Sequence, residues 1–414
     1  VGQVHYNAPP TIDHFYRLAR YDVLISDRWT FNTMRNDFNF GYDAWRHLKA
    51  INPWMKIFVY ENGPRTRDDQ DGVAPYARNT INRWSDISTN HSEWILLDAN
   101  GDPIYNVEYN PPLVKYLDPA GKGLVDYWVN AALEDIVETG RAEGADGIYG
   151  DNCVARKGDT DKMNANELPV QYPTATSWNS AMNGFITGVV EALRQHGLQF
   201  ACNRGATAHE AAVEAWLALD AEEDIPYLVH EEGAFVKPWG SADVNFWTEE
   251  QWRRQIDCFK SITRSKVLCG TYCNLEVGAT GQDNHSKEIS FWDALWFCLC
   301  SFLLCYTGQQ YFMFGGSMPY RTPWWYDEYD RLDLGNPIGD YSVQVVEGVN
   351  VYWREYEGGY VYVNPTPDDV ASVSLPETCR QITHDTINSP FSELPQVTSI
   401  SLPAHRGAIV LKEE

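Results

Sequence analysis

The chain has 414 residues, 44% of them hydrophobic and 21% charged, an ordinary globular composition that excludes a disordered or fibrous chain. Its 32 Lys and Arg against 57 Asp and Glu give a net charge of −25, which disfavours nucleic acid and anionic membranes as partners. At roughly 100–200 residues per domain, the length allows two or three domains, or one large barrel with an appendage.

In chain order, short β-rich segments alternate with longer helical ones. Residues 1–6 read as a first strand, and 12–20 carry apolar residues at helical spacing. A buried strand at 22–26, a helix at 42–50 and a strand at 55–60 follow. The Asn-Gly pair inside Asp98–Gly101 marks a hairpin turn between 94–97 and 103–105. A long amphipathic helix over 123–140 leads into a strand at 147–150, a helix at 178–196 and a strand at 198–202. Then come a helix at 208–219, a strand at 226–229 and a helix from the cap Thr248 to Arg264, where Gln251 completes a capping box. A strand at 267–271, a helix at 289–305 and a strand at 310–314 close the series. The apolar run 291–306 is shorter than the roughly 20 residues a membrane span needs, and reads as a buried helix.

Strands separated by helices predict parallel βαβ units, and eight of them favour a closed barrel over an open sheet. No GxGxxG follows any strand and no phosphate-binding loop sequence occurs, which removes the usual nucleotide readings. From residue 340 the pattern changes to alternating strands at 349–356, 359–364, 372–376, 399–402 and 406–411. The expected fold is therefore α/β, a (β/α)8 TIM barrel over 1–334 with a small C-terminal antiparallel β domain over 335–414. The nine cysteines form no paired CxxC clusters, so buried free thiols are expected and no metal site is.

In such a barrel the active site lies at the C-terminal ends of the strands. Those ends carry Asp27 and Trp29, Glu61, Asp151 and Asn152, Asn203 and Arg204, Glu231 and Glu232, and Asn274. A ring of hydrogen-bonding side chains above apolar strand bodies suits a polyhydroxylated ligand. A carboxylate pair is the usual machinery for glycoside hydrolysis, one carboxyl protonated as acid and the other ionised as nucleophile or base. Asp151 ends a strand of small and apolar residues abruptly and is the first candidate. Glu231 and Glu232 are adjacent, so alternation along a regular strand lets only one face the pocket; the bend expected at Gly233 favours Glu232. Trp239 is one of the aromatics placed to stack on a sugar face. No GxSxG and no HExxH occur.

At these residues the segments 144–152 (GADGIYGDN) and 230–235 (HEEGAF), with the stretch 334–366, resemble glycoside-hydrolase-like barrel families, above all hypothetical glycosyl hydrolase family fifteen. The resemblance implies a barrel with a C-terminal β-sandwich and action on glycans. It also implies Asp151 as nucleophile or base and Glu232 as acid, with the extra Glu231 as a rival for that role. The expected protein is a glycoside hydrolase that needs no cofactor, acts on a carbohydrate and is secreted or periplasmic. Asp27, Trp29, Glu61, Asn152, Asn203, Arg204, Trp239 and Asn274 are expected to bind substrate. The alternative is a carbohydrate-binding protein without turnover on the same scaffold.

Overall fold

The computed structural model describes residues 2–4, 16–26, 44–67, 81, 83–106, 114–137, 144–155, 169–222, 225–317 and 325–413. The chain divides into two compact units. One comprises Val1–His230, Arg264–Lys266 and Tyr320–Pro323, and the other Glu231–Thr263, Val267–Pro319 and Trp324–Glu414.

Among the described residues, the parallel sheet of the first unit has six strands: β1 (Gly2–Val4), β2 (Val23–Ser26), β3 (Lys56–Asn62), β4 (Gly147–Asp151), β5 (Gln199–Asn203) and β6 (Tyr227–His230). Each runs parallel to the next. Helices α1 (Ala44–Ile51), α2 (Leu124–Val137), α3 (Ala175–Gln195) and α4 (Glu210–Ala221) lie between them in sequence. Every residue of β2 and β4 is buried, as expected for parallel strands covered on both faces. Glycine is required in β4. A Cβ on Gly147 would come within 2.1 Å of the Gln199 carbonyl oxygen, and one on Gly150 within 2.4 Å of the Phe200 ring. Helix α3 starts at a capping box of Thr174 and Ser177 and buries an apolar face that includes Trp178, Phe185 and Val189. Asp146, just before β4, pairs with Lys49 of α1 at 2.6 Å and accepts the Ile57 amide of β3 at 2.8 Å. The expected turn at Asp98–Gly101 forms, with Gly101 at φ +86° and Leu97 bridged antiparallel to Pro103.

The second unit contains two further strands of the series, β7 (Lys266–Tyr272) and β8 (Gln310–Gly315), paired in parallel from Val267↔Gln310 to Tyr272↔Gly315. Helix α5 (Glu249–Ser261) begins at the expected Thr248–Gln251 capping box. Helix α6 (Phe291–Cys305) begins at a second box, Ser290 and Asp293. It is apolar on nearly all sides and correspondingly buried. A short helix, α7 (Asp327–Arg331), precedes the C-terminal strands.

Those strands are β9 (Pro337–Val346), β10 (Val349–Tyr356), β11 (Gly359–Asn364), β12 (Val370–Ile382), β13 (Gln396–Leu402) and β14 (Arg406–Lys412). They hydrogen-bond into one antiparallel sheet in the order β9-β10-β11-β14-β12-β13. Sequence patterning finds only residues 372–376 of β12 and misses β9. That edge strand is largely exposed and its alternation is broken around Gly339 and Asp340. One apolar cluster of the sheet gathers Val351, Tyr360, Tyr362, Val373, Ile400 and Val410. Arg354 of β10, 5% exposed, donates to the carbonyls of Leu303, Leu304 and Tyr306 and so closes the C-terminal end of α6. Gly407 of β14 lies so close to α6 that a Cβ there would come within 2.7 Å of Cys300. All nine cysteines are buried free thiols. Among the described residues no helix is long and apolar enough to cross a membrane.

Candidate active site

Strand register decides which polar side chains meet. It aligns Asn62 with Asp151 and Glu61 with Gly150, and Gly150 with Cys202, so that Asn203 stands level with Asp151. Residues at one level share a face of the sheet. One face thus carries Phe58, Tyr60 and Asn62 of β3, Tyr149 and Asp151 of β4, and Asn203 of β5. Tyr60 and Tyr149 meet edge to face at 5.4 Å, and Phe58 meets Tyr227 of β6 at 5.0 Å. The opposite face carries Glu61, Phe200, Arg204 and His230 and is the side of the helices. Trp128 of α2 packs on Phe200 at 6.1 Å, and Trp216 of α4 lies 6.4 Å from His230.

The Asp151 carboxylate, 8% exposed, is ringed by donors. The Tyr60 hydroxyl makes a short hydrogen bond to Oδ2. Asn203 Nδ2 donates to Oδ1 at 2.9 Å, and the Asn152 backbone amide to Oδ1 at 2.6 Å. Asn152 also directs its side-chain amide at Oδ2, and at 2.9 Å to Asn62 Oδ1. It does so from a left-handed backbone, φ +58°, a conformation that Asn tolerates. An ionised carboxylate is an acceptor only, and this donor set matches that state. Gly63 admits the arrangement. Its amide donates to the Asp151 carbonyl at 2.6 Å, and a Cβ would strike that oxygen and Cys153 Sγ. Asn203 Oδ1 in turn accepts the Gly205 amide at 3.0 Å, which fixes the orientation of its side chain.

Of the residues expected to bind substrate, Asn152 and Asn203 therefore join Asp151. Glu61 and Arg204 do not, because each sits one residue out of phase and faces the helices. Glu61 is fully buried. Arg204, also fully buried, donates to Asn183 Oδ1 through Nε at 3.1 Å and Nη2 at 2.5 Å, and to the Cys153 carbonyl at 2.8 Å. It ties β5 to α3 and to the segment after β4. Sequence reasoning assigned Tyr60 and Asn62 no contact with Asp151. Their signal is the spacing of two along β3, which puts both on the face of whichever neighbour stands level with Asn62. Asp27 and Trp29 lie outside the described residues.

The remaining expected residues belong to the second unit. Strand β6 ends at His230, so Glu231 and Glu232 both lie beyond it, and strand alternation does not choose between them. Glu231 is 7% exposed, while Glu232 is half-buried. The bend read at Gly233 is present, with φ +106°. A Cβ on Gly233 would meet the Trp239 ring at 2.7 Å. Trp239 is 47% exposed and packs edge to face on Trp247 at 6.0 Å; Trp247 Nε1 donates back to the Gly233 carbonyl at 2.9 Å. Trp239 therefore lies immediately over the turn that carries Glu231 and Glu232. Asn274 is exposed and donates its side-chain amide to the Ala242 carbonyl at 3.1 Å.

Burial governs the other titratable groups near the first-unit site. It raises the Cys153 thiol well above its ordinary value and pushes Cys202 up to about 12, so neither supplies a thiolate nucleophile near neutral pH. Burial also lowers His230 to about 3, keeping that ring neutral. Among the described residues no cluster of three or more His, Cys, Asp or Glu side chains is placed to hold a metal ion.

The profile of hypothetical glycosyl hydrolase family 15 matches residues 49–360. No curated protein matches the chain. Among solved structures, a cycloisomaltooligosaccharide glucanotransferase of Paenibacillus sp. is 12% identical with a TM-score of 0.41. The match covers 100% of this chain and 54% of that one, so the chain spans about half of its length. The isomaltulose synthase of Protaminobacter rubrum is 9% identical with a TM-score of 0.44, over 97% of this chain and 94% of that one. The type III pullulan hydrolase of Thermococcus kodakarensis is 11% identical with a TM-score of 0.37, over 97% and 70%.

Proposed function

Because the chain belongs to hypothetical glycosyl hydrolase family 15, we propose that it is a glycoside hydrolase that cleaves a neutral or weakly charged oligo- or polysaccharide. The observation that carries this reading is the Asp151 carboxylate, held by Tyr60, Asn152 and Asn203 on the sheet face turned away from the helices. Asp151 acts as nucleophile or general base. Ionised, it attacks the anomeric carbon or takes the proton of an attacking water, and its donors hold it in one orientation while it does so. Glu232 serves as general acid, delivering a proton to the departing glycosidic oxygen, with Glu231 in reserve. Trp239 supplies a stacking surface beside that acid.

In this reading the eight strands close into a (β/α)8 barrel over 1–334. The C-terminal sheet, over 335–414, braces that barrel through α6. The net charge of −25 supports a neutral glycan over a polyanionic one. A secreted or periplasmic location belongs to the same proposal.

The test incubates wild type, Asp151→Asn and Glu232→Gln with a panel of neutral polysaccharides and reads released reducing ends. Release by wild type, abolished by Asp151→Asn, is the expected result. Equal release by both would overturn the role of Asp151. Binding without release by any form would move the protein to the non-hydrolytic reading.

A further inference from the structure

The second unit contains a cavity of about 320 Å³ that no step of the hydrolysis uses. It lies beside the first turn of α6 and the chain around the end of β12, and its walls include Trp292, Trp296, Gln381, Thr383, His384 and Asp385. The volume falls in the range of small-ligand sites, roughly 300–1,000 Å³. The walls pair indole rings with an amide, a hydroxyl and a carboxylate, the combination a sugar needs: an apolar face for its C–H groups and polar atoms for its hydroxyls.

His384 is held from two sides. Its ring stacks on Trp292 with centroids 3.5 Å apart and planes 12° from parallel. Its Nδ1 lies 2.7 Å from Oε1 of Glu328, a carboxylate 2% exposed that also accepts Trp296 Nε1 at 3.2 Å. With Nδ1 held by that carboxylate, Nε2 is the remaining polar atom of the His384 ring. The buried Glu328 thus fixes two wall residues at once, which makes this a pre-formed site. Asp293 on the same wall accepts from Ser290 at 2.8 Å and pairs with Arg406 at 3.2 Å. Two carboxylates, Asp293 and Asp385, line the space, so an anionic ligand is disfavoured.

We propose that this cavity is a second sugar-binding site, taking a short stretch of a neutral glycan and built without any residue of the Asp151 cluster. It rests on the carbohydrate reading above. The ligand lays a C–H face on the tryptophan wall, donates a hydroxyl to Asp385 and accepts from the Gln381 amide.

The test labels the full chain with 5-fluorotryptophan and assigns the Trp292 resonance with Trp292→Phe. It then titrates maltoheptaose, cellohexaose, xylohexaose and, separately, glucosamine, in wild type and in Asp151→Asn. The expected result is a saturable shift of the Trp292 signal with at least one neutral oligosaccharide, unchanged by Asp151→Asn. The apparent affinity is expected to weaken roughly tenfold in Gln381→Ala and in Asp385→Ala, the loss of about one hydrogen bond each. No response of Trp292 to any neutral oligosaccharide, or a response to glucosamine alone, would overturn the proposal. Failure here with hydrolysis intact leaves the catalytic reading standing. A Trp292 response without hydrolysis by any form would remove the catalytic reading and keep this site.

Discussion

The two faces of the strand ends in the first unit carry similar residue types and hold them in opposite ways. On one face the polar groups converge: Tyr60, Asn152 and Asn203 all direct donors at one carboxylate, Asp151. On the other face the polar groups are spent on scaffold. Arg204 donates to the Asn183 side chain and to the Asn179 and Cys153 carbonyls, and Glu61 is fully buried on the helix side. Glu61 and Asn62, or Asn203 and Arg204, are adjacent in the chain, yet one member of each pair serves the candidate site and the other serves packing. Residue type therefore does not separate candidate-site groups from structural ones here. Phase along the strand does.

The largest effect expected on the first face is that of Asp151→Asn. Turnover should fall by roughly 10³-fold while the unfolding midpoint in urea falls less than in Arg204→Met, because the amide fills the same space and forfeits only the donors facing its nitrogen. The largest effect on the opposite face is that of Arg204→Met. It orphans Asn183 Oδ1 and the Cys153 carbonyl in the interior, and should lower unfolding free energy by about 3 kcal/mol or more in a denaturant titration. Activity per folded molecule should remain within a few-fold of wild type, in the sense of the modest coupling expected for groups that do not touch substrate. Loss of turnover in Arg204→Met at full folding would break the comparison.

Smaller changes sharpen it. Tyr60→Phe removes one donor from Asp151 and should reduce kcat roughly tenfold with little change in stability. Glu61→Gln, its counterpart on the helix side, should shift the melting temperature and leave kcat unchanged; the opposite pattern in steady-state kinetics and calorimetry would return Glu61 to the site.

Acid sensitivity is expected from the second unit. His405 is 1% exposed, stacks on Phe246 at 4.0 Å and lies 3.1 Å from Asp283, with His285 and Arg406 nearby. Burial holds its pKa near 4 against the usual 6.5, outweighing the pull of Asp283. Between those values the unfolded chain binds the extra proton, so stability falls as pH drops from about 6.5 to about 4, by at most about 1.4 kcal/mol per pH unit from this group. Urea unfolding across that window should show the slope, and His405→Gln should flatten it.

Much of the architecture is legible in the chain. The alternation of apolar strands such as 55–60 with amphipathic helices is a local signal, and so are the capping residues Thr248 and the Asn-Gly turn at 100–101. Asp151 and Asn203 stand out because each ends an apolar strand. What stays hidden depends on neighbours distant in sequence. Tyr60 reads as one of many aromatics near the strand ends until register places it against Asp151. Glu61 reads as a site carboxylate until the same register turns it to the helices. The choice between Glu231 and Glu232 assumes a regular strand, and β6 stops one residue too early for that. Edge strand β9 lacks a covered face and so lacks the alternation that would reveal it.

The most direct test measures turnover on the glycan released by wild type, and urea unfolding, on the same preparations of Asp151→Asn and Arg204→Met. The expected outcome is a crossed pair: Asp151→Asn folded and inactive, Arg204→Met destabilised and active. Full turnover in Asp151→Asn, or a native-like midpoint with lost turnover in Arg204→Met, would contradict the assignment of chemistry to one face of the sheet and scaffold to the other.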